Sequence, residues 1–238
     1  MRNHARIFFR RTLTHGADYC RSSQEGEGMT NHQSEVRGEM KEVIDSRYFE
    51  ELADQDPREV CSRTLCRYDT TRRAYLVRAW NEEYIVDPHK GEIGRIRRDT
   101  KAPHAYFFLF MVYYLVKGKD LAVSNEWISE KDIPGGATFF RGPHEIPTHL
   151  ISNRYGNDGE GFAERCKRVG GTPLDMGDAG FRFLMVPRIP VAVLYWKGDD
   201  EFPSQARILY DRTITEHLTA DIIFALDVEI CRRIAGQA

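Results

Sequence analysis

Apolar positions along this chain switch between a helical and a strand period. From residues 32 to 54, Val36, Met40, Val43 or Ile44, Phe49 and Leu52 recur at helical spacing in a charged segment, which predicts one or two amphipathic helices. A short helix is expected after Asp56-Pro57, since proline suits a first helical turn, with Val60 and Leu65 facing inward. Three strand-like runs follow, over residues 74–80, 83–86 and 92–96. Asn81-Glu82 and the stretch from Asp87 to Gly91 separate them with turn chemistry, so an antiparallel meander is predicted.

Residues 104–116 are almost continuously apolar and stop at Lys117-Gly118, a cation and a glycine suited to a helix C-terminus. Asn157 or Asp158 can cap another helix carrying Phe162, Cys166 and Val169 on one face, with Gly170-Gly171 ending it. Runs at 181–186, 191–196 and 206–209 read as a second meander, joined by Pro187-Arg188-Ile189-Pro190 and by residues 198–203. The closing helix has Thr219 as cap, Asp221 in its first turn, Ile222, Leu226, Ile230 and Ile234 four apart, and Arg232 and Arg233 near its end. Strands without intervening helices argue against a doubly wound parallel sheet. The expected fold class is α+β, two antiparallel meanders with flanking helices in one domain over residues 31–238. Residues 1–30 are polar and arginine-bearing, and are expected to be a disordered extension or an over-extended gene start, with Met29 as a conventional beginning.

Composition narrows the function classes. The chain has 238 residues, 41% hydrophobic and 29% charged, with net charge -2, an ordinary balance that gives no bulk attraction to nucleic acid or an anionic membrane. The apolar run at 105–116 is well short of the roughly 20 residues that cross a bilayer. Cys20, Cys61, Cys66, Cys166 and Cys231 are scattered and odd in number, which suggests free thiols in a reducing, cytoplasmic setting.

Candidate chemistry concentrates between residues 135 and 147. Gly135 and Gly136 can turn successive amides toward one ligand, and Arg141 offers a planar fork for phosphate or carboxylate. His144 with Glu145 could act as a base with its orienting carboxylate, and His144 with His149 as metal ligands. The HExxH zinc pattern is not met, because Thr148 stands where its second histidine belongs. Asp199, Asp200 and Glu201, with Asp178 and Asp211, could converge as oxygen ligands for Mg²⁺ or Ca²⁺, or form a solvated acidic turn. Arg188 either joins Arg141 in a clamp for an anion or pairs with a carboxylate of that turn. Trp127, Trp196, Tyr195 and Phe202 could wall an apolar pocket or belong to the core. Cys166, inward-facing and without a partner, is a poor nucleophile, and no GxSxG elbow is present.

Taken together, Trp127-Ile128-Ser129, the glycine segment, Gly170-Gly171, Gly177-Asp178, Pro187 to Val191 and Trp196 to Pro203 resemble a domain-of-unknown-function family of mostly anaerobic bacteria and archaea. The resemblance covers approximately residues 58–226. Some members carry an added four-cysteine iron–sulfur domain of the kind seen in corrinoid and one-carbon metabolism, which the cysteines here do not supply. The family implies no established reaction, cofactor or catalytic residue. What it implies is that the glycine loop and the turn from Trp196 to Pro203 belong to one design. The first expectation is therefore a cytosolic ligand-binding or accessory protein of cofactor metabolism, with Gly135, Gly136, Arg141, His144, Arg188 and Trp196 holding an anionic small molecule. A metal-assisted hydrolase or transferase and a non-catalytic module for a protein partner are the alternatives.

Overall fold

The computed structural model describes residues 43–96 and 102–237. Two helices open it, α1 (Ser46–Ala53) and α2 (Pro57–Thr64), followed by strands β1 (Arg67–Asp69), β2 (Ala74–Ala79), β3 (Glu82–Asp87) and β4 (Glu92–Arg95). Helix α3 (Ala105–Lys117), strand β5 (Trp127–Ile128) and three short helices α4 (Gly136–Phe139), α5 (His149–Tyr155) and α6 (Gly159–Arg168) come next. The chain continues through β6 (Thr172–Leu174), β7 (Ala179–Val186), β8 (Ile189–Trp196) and β9 (Gln205–Asp211) to α7 (Ile214–His217) and α8 (Ala220–Ile234). The first sheet has the order β1-β2-β3-β4 and the second β5-β9-β8-β7-β6, every neighbouring pair antiparallel. Both expected meanders are present, so the chain is α+β, and β1, β5 and β6 add strands too short to show an alternating pattern.

Local chemistry sets the helix ends. Asp45 and Asp56 start α1 and α2, their carboxylates accepting from the backbone N–H of Arg47 and Arg58 at 3.0 and 2.9 Å. Val36 and Met40 of the first helical pattern lie outside the described residues, whereas Phe49 and Leu52 are buried as that pattern requires. Val60 also faces inward, but Leu65 does not. It closes α2 in the left-handed conformation at φ 57°, and its side chain stands 54% exposed, because leaving right-handed geometry takes it off the helical face. Asp158 is the cap of α6, accepting from Gly161 N at 2.8 Å.

Uniform apolarity makes α3 the central helix: all its residues except Tyr106, Tyr113 and Lys117 are buried. One face of the second sheet, with Phe181, Phe183, Met185, Val193, Tyr195, Ile208 and Tyr210, joins the same hydrophobic cluster. Phe162 of α6 stacks on Tyr195 there, ring centroids 4.6 Å apart. Strand alternation and register put Arg182, Leu184, Ala192, Leu194, Trp196, Arg207 and Leu209 on the opposite face. Leu184 is 46% exposed on it, and both arginines are exposed.

The sheets meet at the β2–β3 hairpin. Trp80 and Asn81 form its two-residue turn at φ 45° and 61°, a doubly left-handed turn that suits asparagine and disfavours tryptophan. Distant segments hold it: Trp80 N donates to Met185 O at 3.0 Å, Trp80 Nε1 to Val169 O at 2.7 Å, and Asn81 Nδ2 to Gly170 O at 3.3 Å. Gly170 is left-handed at φ 86°, a conformation that favours glycine, and a Cβ there would also displace the Asn81 amide.

Helix α8 is buried around most of its circumference, charges included. Glu229 Oε1 accepts from Arg233 Nε at 2.9 Å and Glu229 Oε2 from His104 N at 2.9 Å, while Arg233 also reaches Glu82 at 3.2 Å and lies 4.6 Å from the centroid of the Trp80 ring. Closer to its start, the buried Asp227 accepts the Tyr210 hydroxyl at 2.7 Å. Burial pushes the Asp227 carboxyl well above the usual carboxylate range.

Candidate functional site

The glycine segment folds as two tight turns. Gly135 is left-handed at φ 76°, and Gly136 is buried so close to the Glu130 carbonyl that a Cβ would overlap it. The amide of Gly136 donates to Ile133 O just before the segment, and those of Thr138, Phe139, Phe140 and Arg141 donate to backbone carbonyls within it. Those five donors are therefore turned inward, not toward a common ligand. His144 is packed as an aromatic: its ring stacks on Phe139 at 4.6 Å with a 19° tilt and meets Phe224 of α8 edge-on at 5.4 Å. Arg141 and Glu145 are exposed.

Arg188 lies in a different place and has a different task. Its Nε donates to Arg63 O at 2.7 Å and its NH1 to Leu121 O at 2.9 Å, and NH2 pairs with Asp120. Arg63 reciprocates from α2, donating to Leu115 O and Gly118 O, both at 2.6 Å, at the end of α3. Arg63 thus serves the C-terminus of α3, and Arg188 serves one carbonyl at the end of α2 and one in the loop after α3. All three nitrogens of the Arg188 guanidinium are engaged within the fold, and the carboxylate paired with it is Asp120 and not one from the acidic turn.

That turn binds itself. Asp199 Oδ1 accepts from Phe202 N at 2.7 Å and Glu201 N at 2.9 Å, backbone donors that hold the carboxyl below its usual range. Asp178 accepts from Lys197 N at 2.9 Å. Asp211 is a separate knot: it takes Ser124 N, Ser124 Oγ and Thr213 Oγ1 on Oδ1 at 3.0, 2.9 and 2.7 Å, and Asn125 N on Oδ2 at 2.7 Å. Among the described residues no three or more His, Cys, Asp or Glu side chains are grouped to hold a metal ion.

Two of the expected aromatic residues, Trp196 and Phe202, do line a concavity. Trp196, at the end of β8, forms a groove of about 340 Å³ with Lys197, Phe202, Pro203, Gln205 and Arg207. The β8–β9 register sets Trp196 opposite Gln205 and Leu194 opposite Arg207, so Arg207 reaches diagonally until its guanidinium carbon lies 5.6 Å from the indole centroid. Phe202, which also lines the groove, is 64% exposed. The tight Asp199 turn fixes where Phe202 emerges. The stem of Lys197 crosses Gly159, where a Cβ would strike its Cε. The result is two aromatic side chains, one amide and two cations around an open surface groove. Arg207, Lys197 and Gln205 were missed in the sequence; the alternation Gln205, Ala206, Arg207, Ile208 marks Arg207 as solvent-facing, but only the register shows that it faces Trp196.

A family described as a domain of unknown function, DUF3786, matches residues 56–233. The chain belongs to this family. No curated protein and no solved structure matches it. The DUF3786 span starts at the Asp56 cap of α2 and ends at Arg233, so it includes the glycine segment, the Trp196 groove and the buried ions of α8. Among the described residues of this DUF3786 chain, no helix is long and apolar enough to cross a membrane.

Proposed function

We propose that this DUF3786 protein is a ligand-binding or accessory protein whose Trp196 groove takes an anionic small molecule with a flat, conjugated body. The observation that carries the reading is the Trp196 indole with Arg207 alongside it, in a groove that Lys197 and Phe202 also line. Aromatic walls suit a planar body, and a guanidinium held against one of them is oriented for a carboxylate or phosphate. Corrinoid, tetrapyrrole and one-carbon cofactors combine such bodies with acidic groups. The family resemblance supports extending the proposal to cytosolic cofactor metabolism in anaerobes.

The test is equilibrium binding of a carboxylated porphyrin, with an uncharged porphyrin as control, at two salt concentrations. Saturable one-site binding of the acid, weakened tenfold or more in Trp196→Ala and in Arg207→Glu and reduced by salt, is the expected result. Equal affinity in wild type and both variants, or preference for the uncharged ring, overturns it.

A further inference from the structure

A second site lies outside the groove, where α2 ends. Cys61 and Cys66 bring their sulfurs to 3.6 Å, and both are partly accessible, whereas Cys166 and Cys231 are buried. Helix-ending geometry produces the contact. Leu65 N donates to Cys61 O at 2.9 Å with Leu65 in the left-handed conformation, a turn that brings the residue after Leu65 against the residue four before it. A hydrophobic pair usually fills those two positions. Here both are thiols, and the Thr64 hydroxyl lies 3.1 Å from the Cys66 sulfur.

We propose that Cys61 and Cys66 form a dithiol site that reacts with small-molecule disulfides and closes to an intramolecular disulfide. The Cys61 thiolate attacks one sulfur of the oxidant, forming a mixed disulfide and expelling one thiolate. Cys66, losing its proton to solvent, then attacks Cys61 Sγ and expels the second. Two S–H bonds are lost, one S–S bond is made, and the oxidant is reduced to two thiols. The sulfurs must approach from 3.6 Å to a bonded separation of about 2.05 Å.

The order of attack follows from the surroundings. Burial raises both thiols above their ordinary value, Cys66 to about 12, and the Cys66 S–H donates toward Cys61. Cys66 is the more deeply enclosed of the two, so Cys61 meets the oxidant first and Cys66 resolves the adduct. Neither thiol has the lowered pKa of a fast redox catalyst, so the site fits slow equilibration with a disulfide pool.

The experiment incubates the folded full chain with mixtures of oxidised and reduced glutathione, blocks free thiols, and reads intact mass and tryptic peptides. Trypsin cuts after Arg58, Arg63 and Arg67, so closure joins two otherwise separate peptides, 59–63 and 64–67, with a loss of two hydrogens. The inference expects that linked pair in the wild type, a stable glutathione adduct on Cys61 in Cys66→Ser, and no adduct on Cys66 in Cys61→Ser, each variant first checked for a wild-type circular dichroism spectrum. A persistent Cys61 adduct in the wild type, bridges from either cysteine to a different one, or unmodified Cys61 and Cys66 under the most oxidising mixture would each overturn it.

Discussion

Removing Arg233 is the sharpest test of how this fold is held. Arg233→Met keeps an apolar stem against Trp80 and Phe107 but deletes the cation that serves Glu229, a side chain with no exposure at all. Breaking a buried pair by removing one partner costs about 3–5 kcal/mol, because the remaining charge stays desolvated. At about 2–4 °C per kcal/mol for a domain of this size, the melting temperature should fall by roughly 6–20 °C. Among the described residues, Glu229 would keep only the His104 N–H as a hydrogen-bond donor. Burial already raises its pKa, and without Arg233 it should rise further, so the stability deficit shrinks as pH falls and the carboxyl takes up a proton. Adding Glu229→Gln preserves an acceptor for His104 and removes the charge, so the double variant should regain at least about half of the loss. Urea unfolding at pH 8 and pH 5 for wild type, both singles and the double closes the cycle. A loss below about 1 kcal/mol in Arg233→Met, or a double variant as unstable as that single, would refute the claim that an uncompensated Glu229 charge drives the effect.

Three further outcomes are expected. Asp211→Asn replaces one of two accepting oxygens with a donor inside a knot of N–H and O–H groups, so urea unfolding should show a loss of about 1–3 kcal/mol; a neutral result would mean that the 124–126 loop and β9 are joined by other contacts. Gly136→Ala places a methyl group into the Glu130 carbonyl and 3.0 Å from Ile133 Cβ, and should cost about 1–3 kcal/mol in thermal melts, whereas an unchanged melting temperature would show that the turn relaxes freely. Burial, aided by Arg232, lowers the His104 pKa from 6.5 to about 4. Its neutral ring caps α3 by accepting from Tyr106 N at 3.2 Å, so its contribution is complete above pH 6.5 and is lost as pH falls through about 4. His104→Asn should flatten that part of the acid limb, and an acid limb identical to wild type would contradict the assignment.

Particular residues show what the sequence could reveal. Asp56-Pro57, Asp158 and Lys117-Gly118 marked helix ends through chemistry confined to a few neighbours, and the structure ends helices there. Strand alternation exposed both meanders for the same local reason. Thr219 is at the start of α8 as expected, but its hydroxyl does not cap the helix. The four-residue spacing of Ile222, Leu226, Ile230 and Ile234 named one buried stripe. It did not reveal that Asp227, Glu229 and Arg233 are buried as well, since their partners come from β9, the residue before α3, and β3. Arg188 shows the same limit: its setting between prolines fixed its rigidity, while its acceptors on α2 and near Leu121 were set only by tertiary packing. Trp196 was legible as an aromatic beside an acidic turn, and its cationic neighbour depended on strand register.

The Trp80-Asn81 turn also bears on the order in which the molecule can form. Adjacent strands usually meet early, because a short loop closes at little entropic cost. Here the linking residues sit in a conformation that tryptophan resists, and they are held by Val169, Gly170 and Met185, some 90 to 105 positions farther along the chain. During synthesis, the amino-terminal sheet emerges without the atoms that secure its central bend. Those atoms follow with α6 and β7. The turn's last stabilising contacts are therefore completed only by the carboxyl-terminal half, which ties the bend of the first sheet to the presence of the second.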